Sequence, residues 1–113
     1  MIEVLVIHRA FETSPVHVAT VTVDEDVCDE AACDEAYVAT NNIEDSWSIA
    51  TNADGKHNKD YSNKTTVVAP LSTKHNSNIV LGHRSTSMGD AMVVCKDGAI
   101  ALYECTAIGW KRI

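Results

Sequence analysis

The sequence predicts an α+β fold: an antiparallel β-sheet of about five or six strands, open or closed in part into a small barrel, packed by one principal amphipathic helix in the order β-β-α-β-(β)-β-β. Three observations carry this expectation. Residues 2–7 are apolar at every position but Glu3, an alanine-rich stretch in the first half has helical spacing, and Asp97-Gly98 stands between two apolar runs near the end. A chain of 113 residues makes one domain, 1–113. A domain of that size buries roughly 65% of the surface its unfolded chain exposes.

Taken in order, residues 2–7 are rich in branched side chains and read as a central strand covered on both faces. Turn chemistry at Phe11, Glu12, Thr13, Ser14 and Pro15 leads to a second strand over 16–23, placed to form an antiparallel hairpin with the first. Asp24, Glu25 and Asp26 then precede the helix, where carboxylates suit the free amides and positive end of the dipole. The helix is expected over 27–41, and on a wheel at 100° per residue Val27, Cys28, Ala31, Ala32, Ala36, Val38, Ala39 and, just beyond its end, Ile43 fill one half. Asp29, Glu30, Cys33, Asp34, Tyr37 and Thr40 fill the other. Glu35 falls in the apolar half, as a boundary residue, the partner of a base, or part of a site.

Thr40, Asn41 and Asn42 should end the helix, since asparagine tolerates the left-handed conformation. Trp47 anchors the connection that follows on the core. Residues 52–64 form a long polar loop of the kind that is often functional or mobile. A short strand over 65–69 stops at Pro70, and 79–81 reads as a short edge strand. Residues 91–95 and 99–108 flank Lys96-Asp97-Gly98 as a central hairpin, apolar on both faces.

Charge narrows the function classes. The net charge is −7, with eleven acids against one base in residues 1–50 and five acids against eight bases in 51–113. An acidic chain without a basic stripe is a poor binder of nucleic acid or anionic membrane. No apolar run approaches the roughly 20 residues of a membrane span, and Met1 is followed by no basic leader. A cytoplasmic location is therefore expected. Cys28, Cys33, Cys95 and Cys105 lack a CxxC spacing and read as reduced, partly buried thiols; the hairpin register puts Cys95 and Cys105 on opposite faces. The five histidines have no short paired spacing, so no metal and no cofactor are predicted.

The segment 82–90 contains the residues with most chemical potential: His83, Arg84, Ser85, Ser87, Gly89 and Asp90. A hydrolase elbow needs Gly-x-Ser-x-Gly between a strand and a helix, whereas Ser87 precedes a strand. A phosphate cradle needs more glycines than Gly82 and Gly89. A structural turn accounts for the residue types: the serines bond nearby backbone, Gly89 takes a positive φ, and Asp90 accepts backbone amides. No catalytic residue is assigned, and a small-ligand or enzymatic loop here is the alternative.

Residues 84–90, the apolar strand after them, Asp97-Gly98 and the closing Ile108-Gly109-Trp110 resemble the "RSxSxGD…DG…GF" tail of YodL-like domains and of small bacteriophage and mobile-element proteins. Ala36-Tyr37, Thr40-Asn41-Asn42-Ile43 and Trp47 are similar to the middle of those proteins. The chain departs from the pattern in having Trp110 where phenylalanine is usual, in its cysteine-bearing acidic helix and in its Lys/His/Asn loop. The resemblance implies a phage or plasmid origin and a compact α+β domain, and no catalytic residue is carried over.

Asp26, Asp29, Glu30 and Asp34 give the acidic helix its charge, and Asp29, Glu30 and Asp34 share the outer half of the wheel. Such a face is either a solvated surface or an interface for a basic partner. With the resemblance, the expectation is a small phage accessory protein acting in the host cytoplasm on a host or phage protein, such as one with a basic nucleic-acid-binding surface. A structural or virion-associated module is the remaining alternative.

Overall fold

Alternation along the first strand orients the whole sheet. The computed structural model describes residues 1–24, 26–75 and 77–113; Glu25 of the acidic run and Asn76 lie outside the described residues. Strand β1 (Ile2–His8) sends Ile2, Val4, Val6 and His8 into the core and Glu3, Leu5 and Ile7 to the opposite face. It pairs antiparallel with β2 (Val16–Val23), as expected, with a register shift at Val6/Ile7 that accommodates Val18 as an extra residue.

Helix α1 (Asp29–Ala39) crosses the inner face, starting and ending two residues inside the expected limits. Cys28 precedes it without a side-chain cap, so the carboxylates act through the first turn, at Asp29 and Glu30. At the other end no asparagine adopts the left-handed conformation. Instead the Thr40 backbone amide reaches the Ala36 and Tyr37 carbonyls, and side chains add second bonds to the same two, the Thr40 hydroxyl to Ala36 at 2.7 Å and the Asn41 side-chain amide to Tyr37.

The buried stripe is rotated from the predicted one. Ala32, Cys33, Ala36 and Thr40 are buried, while Val38 and Cys28 are exposed and Glu35 stays at the surface. Small side chains at 32, 33 and 36 allow close approach to the sheet. The polar flank is accommodated because β-strand aromatics supply donors, the Tyr103 hydroxyl to Asp29 at 2.9 Å and the Trp110 indole to Asp34 at 2.8 Å.

After α1 come β3 (Thr65–Val67), β4 (Ser72–Thr73), β5 (Val80–Leu81), β6 (Ala91–Lys96), β7 (Ala99–Thr106) and β8 (Gly109–Arg112). Four of these join β1 and β2 in one six-stranded antiparallel sheet in the order β3-β2-β1-β6-β7-β8. The C-terminal hairpin is thus central. Asp97 at φ 51° and Gly98 at φ 78° make its two-residue turn, which puts Cys95 opposite Ile100. The expected partial barrel does not close, because the edge strands are only three and four residues long and lie at opposite ends of the sheet. The run expected to end at 108 turns back at 107–108 and adds β8. Residues 80–81 pair with 72–73 in a separate ribbon rather than edging the main sheet. Trp47, fully buried, closes the core beside His8.

Candidate functional site

Two candidate sites emerge, lined by different residues. The first is the 82–90 turn, which begins with an alternation: the same period that buries Ile2, Val4 and Val6 makes His8 the last inward residue of β1. His8 Nε2 lies 2.9 Å from Thr86 Oγ1, and Thr86 Oγ1 lies 2.7 Å from Thr40 Oγ1. Because Thr40 donates to the Ala36 carbonyl, Thr86 donates to Thr40 and accepts from His8. The chain of bonds thereby assigns His8 the Nε2–H tautomer. Burial, aided by the Arg84 charge, lowers the His8 pKa to about 4.

Beside it Asp90 is completely buried and accepts the backbone amides of Arg9, Ala10 and Ser87 at 2.8–2.9 Å and two guanidinium bonds from Arg84 at 2.8 Å. Burial opposes its ionisation, yet Arg84 and those amides hold its pKa at about 2. Arg84 also pairs with both oxygens of Glu12 and lies 4.9 Å from the centroid of the Phe11 ring. The hydrogen bonds to Asp90 raise its pKa against the cost of burial, with Glu12 adding to the effect. The Ser85 hydroxyl accepts the Asn42 amide, and Gly89 sits at φ +92° with Ala10 against it. The polar groups at the base of this turn are therefore spent on one another.

Part of the segment does open to solvent. His8, Glu12, His83 and Arg84 line a cleft of about 390 Å³ floored by Val16, Val18 and Pro70. His83 stacks on Trp47 and its Nε2 donates to the Ala69 carbonyl at 3.0 Å. Ser87 belongs to a different depression, with Met88, Cys105 and Trp110. Neither His8 nor His83 bonds to Ser87, so the pairing a serine nucleophile needs is not assembled.

The second site is on the helix. Val38 (60% exposed) and Ile43 (68% exposed) face a cleft of about 500 Å³ with Val21 and Ala39, rimmed by Asp34, Glu35, Asp60 and Lys64. Across it, Asp60 accepts the backbone amides of Glu44 and Asp45, which lower its pKa. The surrounding carboxylates are unequal. Asp24 pairs with Lys64, Asp26 with Lys96 and Glu44 with Lys59. Glu30 and Glu35 carry no salt bridge among the described residues.

The four predicted acidic residues therefore divide. Asp26 and Glu30 are exposed, Asp29 is half-buried under Tyr103, and Asp34 is exposed but tied to Trp110. Sequence reading missed Thr40, Thr86, Glu12 and His8. The signal for His8 was present, in its phase with Ile2, Val4 and Val6. Thr86 and Glu12 had none, because their partners lie 78 and 72 positions away.

All four cysteines are free; burial, with nearby Asp29, pushes the Cys33 thiol up to about 12. Among the described residues no three His, Cys, Asp or Glu side chains converge to hold a metal ion, and no helix is long and apolar enough to cross a membrane. The chain matches no family model, and neither a curated protein nor a solved structure is similar to it.

Proposed function

We propose that this protein is a non-catalytic binding module that recognises a basic protein partner through the outer side of α1. One observation carries the reading: exposed Val38 and Ile43 over a cleft of about 500 Å³ bordered by Asp34, Glu35 and Asp60, with exposed Glu30 about one helical turn before Asp34. An apolar anchor inserted there would gain burial, while carboxylates on the rim would attract and orient a cationic partner. Within this proposal the motif resemblance supports a small phage-encoded accessory protein acting in the host cytoplasm. A partner with a basic nucleic-acid-binding surface has the matching charge.

The test is an amide-resolved NMR titration with a Lys-rich amphipathic peptide, run beside the Glu30→Lys/Glu35→Lys/Val38→Ser variant. Shifts should cluster at 30–43 and 60–64, weaken with salt and vanish in the variant. Shifts elsewhere, or host-lysate pull-downs in which both proteins retain the same partners equally well, would end the proposal. A second reading, a small-ligand site, is favoured by the convergence of His8, Glu12, His83 and Arg84 on one cleft. Saturation of Arg84 by Asp90 and Glu12 weighs against it.

A further inference from the structure

Helical and strand spacing bring two aromatic rings to a third cleft, between α1 and the β7–β8 turn. Asp34 and Tyr37 are three apart on α1 and share a side of the helix. Trp110 of β8 stands opposite buried Cys105 in the ladder, so its indole turns toward the helix and donates to Asp34 Oδ1 at 2.8 Å. The Tyr37 and Trp110 rings are half-buried, their planes at 76° and their centroids 6.2 Å apart. With Ser87 and Met88 they line a cleft of about 410 Å³, inside the roughly 300–1,000 Å³ of small-molecule sites.

We propose that this cleft binds a small quaternary amine of the choline class, with its trimethylammonium head in the corner between Tyr37 and Trp110. Charge complementarity argues for a cation. Elsewhere the chain sets its own arginines on its rings, Arg84 at 4.9 Å from the Phe11 centroid and Arg112 at 5.7 Å from that of Tyr103. Among the described residues no cation covers Tyr37 or Trp110, no lysine or arginine lines the cleft, and Asp34 Oδ2 has no partner. A group seated between centroids 6.2 Å apart stays within the roughly 6 Å over which a ring face attracts a cation. The scarcity of acceptors argues for a head without N–H donors. Trp110 occupies Asp34 Oδ1, the Thr106 hydroxyl occupies the Gly109 carbonyl, and the Gly89 amide occupies the Cys105 carbonyl. A primary ammonium has three donors to satisfy and holds its hydration strongly. Methyl groups ask only for the rings and the apolar side chain of Met88.

The experiment is an NMR titration of the full chain with choline chloride to about 50 mM at constant ionic strength, following the Trp110 indole N–H and the Tyr37 ring. Both should shift saturably, with a Kd on the order of 10 mM. Ethanolamine, and the neutral carbon analogue 3,3-dimethylbutan-1-ol, should bind at least fivefold more weakly. Trp110→Leu, read at Tyr37, and Tyr37→Leu, read at Trp110, should each weaken binding at least fivefold, with circular dichroism verifying the fold. Asp34→Asn lies at an exposed position, keeps an acceptor for the indole and removes the charge; it should weaken binding severalfold. Phosphocholine should bind no more tightly than choline, since Asp34 repels its phosphate. The absence of a saturable shift overturns the proposal. So does ethanolamine or the neutral analogue matching choline, or binding undiminished in both Tyr37→Leu and Asp34→Asn. Phosphocholine binding more tightly than choline overturns the assignment to a free amine. None of these outcomes bears on the helix cleft, whose test changes Glu30, Glu35 and Val38.

Discussion

Acid should weaken this fold first through His8. The imidazole is 1% exposed, holds Thr86 with its Nε2–H and meets Trp47 edge-on at 6.3 Å. A second proton would not break the bond to Thr86; it would place a charge in the core near Arg84, which is why the pKa is lowered from 6.5 to about 4. Between those values the unfolded chain binds the proton and the folded chain does not. Stability is therefore complete above pH 6.5 and falls as pH drops toward 4, by on the order of 3 kcal/mol. His8→Gln can still donate to Thr86 but cannot titrate. It should cost about 1–2 kcal/mol at pH 7 through lost packing and should flatten the slope between pH 6.5 and 4. Urea unfolding followed by tryptophan fluorescence at fixed protein concentration gives both curves, and long-range ¹H–¹⁵N spectra give the tautomer. Parallel loss of stability in the two proteins, or a bare Nε2 at pH 7, would refute the reasoning.

Other outcomes follow from the same turn. Asp90→Asn leaves the shape but turns one acceptor into a donor facing amides and guanidinium; it should destabilise by about 3 kcal/mol in denaturant titrations. In the parent, the Asp90 contribution is present above pH 3.8 and is lost as pH falls through about 2, a window distinct from that of His8. Gly89→Ala must hold an L-residue at φ +92° with its Cβ 3.1 Å from that of Ala10. A loss of about 1–3 kcal/mol is expected by thermal unfolding, against a negligible change for an exposed substitution such as Lys74→Ala.

What the residues reveal on their own depends on distance along the chain. The Asp97-Gly98 turn, the central strand at 2–7 and the Asp90 anchor were legible because their cause lies in a few adjacent residues: positive-φ chemistry, a run of branched apolar side chains, and a carboxylate beside free amides. The helix was legible as a helix, but its buried side was not. The wheel ranks residues by polarity, and Cys33 went inside while Val38 stayed out because of what faces them. Placing Asp29 and Asp34 depended on Tyr103 and Trp110, 74 and 76 positions away, and β8 depended on a turn inside a run that read as continuous strand.

The sequence by itself determined an α+β domain with a central C-terminal hairpin, an acidic first half and a serine-bearing turn whose residue types suit scaffolding. Tertiary structure alone decided that the sheet stays open with one aliphatic face uncovered, that Val38 and Ile43 meet carboxylates over a cleft, and that His8, Thr86 and Thr40 form one directed chain. The physical reason is that hydrogen bonding and φ preferences act between neighbours, whereas burial is a property of the partner surface. No residue carries its partner in its own side chain.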